Sequence, residues 1–189
     1  MPIPHTETIG QVDFTENGRH TLNINRTGVL TRLLMRVRFT VTNTASAPTD
    51  PLWQTLASLI KRVEVIVNGQ DTVQSIDGPG LAMRASLMNS VAATGMSDSV
   101  VLTGSAATSY DVIIPITFTL PRSADPMRTA LPADRLGQSV LAVTWGNIND
   151  FYGTANAATI SGVTCDVIGD YMLGVAADQP FEARILSTK

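Results

Sequence analysis

Cysteine is nearly absent from this chain: its 189 residues include one, Cys165. A single thiol excludes an internal disulfide framework. Histidine is almost as scarce, with His5 and His20 alone, and no H-E-x-x-H, C-x-x-C or paired-histidine spacing is present. There is no G-x-S-x-G. Gly78-Pro79-Gly80 is glycine-rich but lacks the Lys and Ser/Thr of a phosphate-binding Walker loop, so it reads as a turn that re-aims the chain. No apolar run approaches the ~20 residues of a membrane helix. The opening Met1-Pro2-Ile3-Pro4-His5 lacks the cationic and apolar regions of a signal peptide, and synthesis in a cytoplasm is expected. These absences leave no catalytic set and call for no cofactor and no metal.

Charge is also sparse. Only 15% of residues are Asp, Glu, Lys or Arg, against a usual ~25%. Small neutral polar residues fill the gap, and a surface of that kind is cheaper to desolvate against a partner than one of Lys and Glu. The formal net charge of −3 argues against a strongly basic nucleic-acid binder. Lysine occurs twice, at 61 and 189, so arginine supplies nearly all of the 13 basic residues. Arginine is enriched in protein interfaces and lysine depleted. Aromatics are 5%, few for a sugar-binding surface.

What is present is alternation. Hydrophobic residues make up 44%, enough for a core in one domain of this length. Residues 1–18 read as an extended polar arm with a weak strand near Ile9–Phe14, and His20–Asn25 as a short strand. From Leu33 the period is two: Leu33, Met35, Val37, Phe39 and Val41 on one face, Arg36, Arg38, Thr40 and Thr42 on the other. Asp50-Pro51 opens an expected helix to Lys61, with Asp50 as cap, Pro51 in the first turn and Leu52, Trp53, Leu56, Leu59, Ile60 and Val63 at helical spacing. Val63–Val67, Asn68-Gly69 and Thr72–Ile76 predict a hairpin with a type I′ turn. A second helix is expected over Leu81–Ser90. An edge strand is expected at Ser99–Thr103, and further strands at Tyr110–Leu120, Ser139–Trp145 and Thr159–Leu173. Pro115 demands a sheet edge or a bulge. The tail from 176 to 189 reads as an arm or a short strand near Phe181–Leu186.

About eight strands with long crossings and two short helices do not suit a parallel βαβ fold. They suit an all-β, antiparallel eight-stranded jelly-roll sandwich or barrel with two inserted helices, occupying residues 19–175. An immunoglobulin-type sandwich, usually ~100 residues with shorter loops, fits less well.

Few residues suggest chemistry. Cys165 falls on an inward strand face as a small hydrophobe. Asp50, Asp77 and Asp134 read as caps or turn residues. Asp166 and Asp170 share an outward face, which hints at Ca²⁺, but a hard cation wants six or more oxygens. Arg32, Arg36 and Arg38 share the outward face of the long strand, with Arg26 nearby. Such a stripe reads as a subunit contact, as a contact with lipid head groups or phosphates, or as a solvated face. Without interleaved aromatics it does not suit single-stranded nucleic acid. Arg84 and Met88, on the second helix, are placed at a flank where a neighbouring subunit would dock.

The order of a long alternating strand, an Asp50-Pro51 helix, the V-E-V-I-V-N-G hairpin and the G-P-G-L-A-M-R helix resembles single-jelly-roll major capsid proteins of tailless icosahedral phages with an internal membrane. The resemblance covers roughly residues 20–175. It implies a structural capsid protein, not an enzyme, that self-assembles by side-to-side contacts. It implies as partners other copies of itself and a second capsid protein, with contact to an internal membrane and no specific nucleic-acid sequence. Since the chain is short for a double jelly roll, each capsomer would need two or more copies or that second protein. A carbohydrate-binding or adhesion module of the same architecture is the alternative.

Overall fold

In the computed structural model, residues 1–46, 56–89, 104–120, 125–152, 158–181 and 186–187 are described. Two sheets, antiparallel apart from the short β10–β5 pair, face each other. The strands are β1 (Ile3–Gln11), β2 (Arg19–Asn23), β3 (Val29–Asn43), β4 (Ile60–Val67), β5 (Asp71–Ile76), β6 (Ala107–Thr117), β7 (Leu131–Pro132), β8 (Ser139–Trp145), β9 (Ala158–Leu173) and β10 (Leu186–Ser187). The first sheet runs β1-β9-β3-β6, with β7 also on β3; the second runs β10-β5-β4-β8-β2. Without the two-residue strands β7 and β10, eight strands remain among the described residues, four to a sheet, and the chain crosses repeatedly between them. That is the jelly roll.

The long strand β3 sits between β9 and β6. Its apolar positions Leu33, Met35, Val37, Phe39 and Val41 are all buried, as the alternation requires. They meet Val63, Val65, Leu141, Val143 and Trp145 of the second sheet in one hydrophobic core. Trp145 is fully buried, donates its indole N–H to the Asp13 carbonyl at 2.7 Å and meets Phe14 edge-on. Trp53, also expected in the core, lies outside the described residues. At about 1.5–3 kcal/mol for each large side chain buried, these inward rows dominate the stability.

The hairpin forms where expected. Asn68 and Gly69 both have positive φ, 51° and 78°, and Gln70 N–H closes the turn on the Val67 carbonyl. Pro115 lies on β6, the edge strand of its sheet.

Several element boundaries differ from the sequence reading; β6, for one, runs Ala107–Thr117 where Tyr110–Leu120 was expected. The stretch expected to hold a weak strand at Ile9–Phe14 forms its strand earlier, and β1 is hydrogen-bonded along β9 from Ile3. Of its half-buried positions, His5 and Glu7 are polar and Gly10 has no side chain, which leaves Ile9 alone apolar, so no apolar alternation marks it. The helix expected to end at Lys61 is strand from Ile60 onward, preceded by a single 3-10 turn, Leu56–Leu59; residues 50–55 lie outside the described residues. A β-bulge at Lys61 shifts the register between Ile60 and Arg62, so Ile60 and Val63 both face inward. That three-residue interval imitates helical spacing. The second helix, α1 (Gly78–Asn89), starts three residues earlier than expected: Asp77 caps it, accepting the Gly80 N–H at 2.8 Å, so Gly78-Pro79-Gly80 is its first turn. A four-residue helix, α2 (Asn149–Tyr152), stands where a loop was expected. The strand expected at Ser99–Thr103 lies outside the described residues, and β10 falls at the end of the expected tail strand.

Gly78 has no room for a side chain: a Cβ there would drive into the carbonyl oxygens of Ala57 and Ile60. Gly78→Ala is expected to destabilise the fold by about 1–3 kcal/mol, read as a lower urea midpoint. An unchanged midpoint would show that α1 is not seated against the Leu56–Leu59 turn.

Candidate subunit-contact face

The outer face of the β1-β9-β3-β6 sheet brings Arg32, Arg36 and Arg38 together, all exposed, on alternate positions of β3. They do not form a free basic stripe. Arg32 donates to Asp170 on β9, Nε to Oδ2 at 2.8 Å, and Asp170 also accepts from Thr6 on β1. Arg36 reaches Asp111 on β6, its Nε 3.0 Å from either carboxylate oxygen. Arg38 pairs with Asp166 on β9 at 2.6 Å, and Gln11 on β1 donates to the same carboxylate. Each arginine therefore stitches β3 to a neighbouring strand, and the row is electrically balanced. Asp166 and Asp170, considered as cation ligands, are occupied in this way.

Between the ion pairs runs an apolar band. Leu34 lies opposite Ile168 on one side and Pro115 on the other, and Ile113 lies opposite Arg36. Leu34, Ile168 and Pro115 are half-buried and Ile113 is 37% exposed. Beside the band, Arg38, Phe39, Thr40, Ser109, Tyr110, Asp111 and Gly162 line a shallow depression of about 290 Å³. It lies where β9 carries an extra residue opposite β3, and Gly162 supplies the φ of +62° that this bulge uses.

The other two site candidates do not share this face. Arg84, on α1, points inward. Its Nη2 donates to the Thr117 carbonyl at 2.7 Å, the carbonyl that also accepts from Gln74 at 3.1 Å. Burial pulls the guanidinium below its ordinary pKa. Arg84 thus ties α1 to the end of β6, a fold contact rather than a free docking group. Met88 lies in the last turn of α1, outside the residues whose side chains are described.

Sequence reasoning missed the acidic half of the array, because β6, β3 and β9 are distant in the chain and their register is invisible in one sequence. The hint was there: Asp111, Asp166 and Asp170 are acids at outward strand positions, as the arginines are. Elsewhere, burial first, and then the charge of Asp166, push the Cys165 thiol up to about 12, which leaves it a packed thiol rather than a nucleophile. His5 lies 3.5 Å from Glu7. Burial tends to raise the Glu7 carboxyl, but hydrogen bonds from Thr27, Asn25 and His5 and the charge of His5 outweigh it and hold the group below its ordinary value. His20 is on β2, opposite Val143.

No protein-family model matches the chain, and no curated protein matches its sequence. Solved structures do match. The chain is similar to the STIV major capsid protein, with 16% identity and a TM-score of 0.67 over 98% of this chain and 55% of that one. It is similar to a chain of the Sulfolobus turreted icosahedral virus structure, at 14% identity and a TM-score of 0.66 over 94% and 51%. It is similar to the major capsid protein P2 of bacteriophage PM2, at 9% and 0.53 over 92% and 52%. At these identities the likeness is one of fold, and the chain spans about half the length of each neighbour. The fold is the jelly roll found in viral major capsid proteins, the class that the layout of the sequence resembles.

The Arg36 hydrogen bonds, joined by the charges of Arg36 and Arg38 and opposed by slight burial, hold the Asp111 carboxyl below its ordinary value of 3.8. A depressed carboxyl contributes stability that is present above that value and lost as pH falls through the folded pKa. The wild type is therefore expected to lose more stability than Asp111→Asn on acidification below about pH 4, followed by thermal unfolding across an acid series. Because the pair is exposed, the difference should not exceed about 1 kcal/mol. Arg84→Met should cost more, about 1.5–3 kcal/mol for a charged hydrogen bond lost from a part-buried site.

Proposed function

We propose that the protein is a structural subunit of an icosahedral viral capsid that assembles through side-to-side contacts between jelly rolls. The observation that carries this reading is the fold itself: four-stranded sheets in jelly-roll order, alike over almost the whole chain to viral major capsid proteins. The outer face of the β1-β9-β3-β6 sheet supports it. Its charges are already paired and its centre is apolar, so covering it strands no lone charge. We assign Arg32, Arg36 and Arg38 to this contact, as the frame that holds the apolar band in place. Arg84 is assigned to folding, and Met88 is kept as a contact candidate on α1.

The chain aligns with about half of each neighbour chain, and the reading includes, as partners, further copies of this jelly roll and a second capsid protein. Contact with an internal membrane belongs to the same reading. The virion is then its location, and no turnover chemistry is required of it. A carbohydrate-binding role is less well supported. Sugar sites present open aromatic platforms, whereas the aromatic side chains described here are buried or half-buried, and Phe181 is covered by the Arg135 guanidinium at 4.8 Å.

Purified protein is expected to form concentration-dependent oligomers by sizing, with regular assemblies by electron microscopy. Ile113→Lys should reduce assembly while leaving the urea midpoint within about 0.5 kcal/mol of wild type. A strict monomer at high concentration that binds glycans would overturn the reading.

A further inference from the structure

At the end of the sandwich where β8 gives way to α2, three segments converge on one side-chain cluster. Lys61 Nζ, at the bulge of β4, lies 2.9 Å from Asn17 Oδ1 in the β1–β2 loop. The same Oδ1 accepts a second hydrogen bond, from Asn147 Nδ2 at 3.1 Å. Asp150 Oδ2, on α2, lies 3.4 Å from Lys61 Nζ and also accepts the Asn147 N–H at 2.7 Å. An amine, a carboxamide with a doubly hydrogen-bonded carbonyl, and a carboxylate thus meet within contact distance.

Backbone bonds hold these segments in place. Asn17 N–H donates to the Gly146 carbonyl and Trp145 N–H to the Gly18 carbonyl, which fixes the loop on β8. Gly146 N–H donates to Leu59, which fixes β8 on the chain entering β4. Asn17 has a φ of 57°, so the turn itself aims its side chain at β4. The hydrogen bond holds the Lys61 amine beside the Asn17 amide; to react, Nζ leaves Oδ1 and moves over the adjacent Cγ, a local rearrangement within an ordered cluster.

We propose that this cluster is a self-modifying site at which Lys61 and Asn17 join in an isopeptide bond. The neutral Lys61 amine attacks the Asn17 side-chain carbonyl carbon, and a C–N bond forms. Asn147 Nδ2 donates to the carbonyl oxygen as negative charge develops there. Asp150 accepts the proton that the nitrogen gives up and returns it to the departing amide nitrogen, which leaves as ammonia when the original C–N bond breaks. No oxidant, reductant or external cofactor is needed. A lysine ammonium is not a nucleophile, so the reaction proceeds through the neutral amine and its rate rises with pH across the alkaline range. The product staples the β1–β2 loop to β4 and closes a covalent ring over residues 17 to 61 at the end of the second sheet.

The test is intact mass and peptide mapping of the full chain after incubation at neutral pH and at about pH 9. The expected result is a species lighter by one ammonia, about 17 Da, with a branched peptide joining residues 17 and 61 and faster formation at the higher pH. A cyclic imide at Asn17-Gly18 or Asn68-Gly69 loses the same mass, so the sample is also treated with hydroxylamine, which cleaves imides and spares isopeptides. Lys61→Arg, which keeps the charge and removes the amine, should abolish the branched peptide without affecting folding. Asn147→Ala should slow its formation. An unchanged mass at both pH values, or a lighter species wholly consumed by hydroxylamine cleavage, would overturn the proposal.

Discussion

The strict alternation of β3 is the constraint on which the rest depends. This strand lies between β9 and β6 and supplies the longest inward row of the core. Because strand side chains alternate with a period of two, slipping β3 by one residue would turn Arg32, Arg36 and Arg38 into the core and expose Leu33 to Val41. The cost would be tens of kcal/mol, far above anything the outer face can recover from ion pairs at about 0.2–1 kcal/mol each. The inner face therefore fixes the register, and the register decides which carboxylate each arginine meets. The outer array follows from the core and is not what holds the sheet together.

This ordering shows how much could be read from the chain in advance. Alternation located β3, β8 and β9, and the positive-φ pair Asn68-Gly69 located the hairpin, because these signals are local. Pro115 narrowed β6 to an edge or a bulge for the same reason, and the strand lies at the edge of the described sheet. Bulges defeated local reading. The extra residue at Lys61 made strand residues look helical, and β1 puts polar side chains at two of its half-buried positions, His5 and Glu7. The candidate face was half legible: the arginines were visible as a stripe, but their partners come from strands whose alignment only the folded chain defines. Arg84 looked like a surface cation because helix spacing alone does not reveal that the Thr117 carbonyl waits beneath it.

The two functional proposals use different parts of the molecule. The capsid reading rests on the strand order and on a balanced, partly apolar sheet face. The isopeptide reading rests on the end of the sandwich where Asn17, Lys61, Asn147 and Asp150 meet, and it stands or falls independently of assembly. Both draw on the same property of the jelly roll: its repeated crossings between sheets place residues from widely separated segments side by side.

The proline at 115 has a consequence for how copies of this protein can and cannot associate. A free strand edge is a row of amide donors and carbonyl acceptors, an open template on which another strand could grow. On β6 that row lacks a donor at Pro115, near the end of the strand, and, two residues on, the Thr117 carbonyl is already claimed by Gln74 and Arg84. A foreign strand laid along this end of β6 would find no continuous ladder. Extension of the sheet is hindered there by the same device that protects other exposed edges, a proline and a carbonyl already in use.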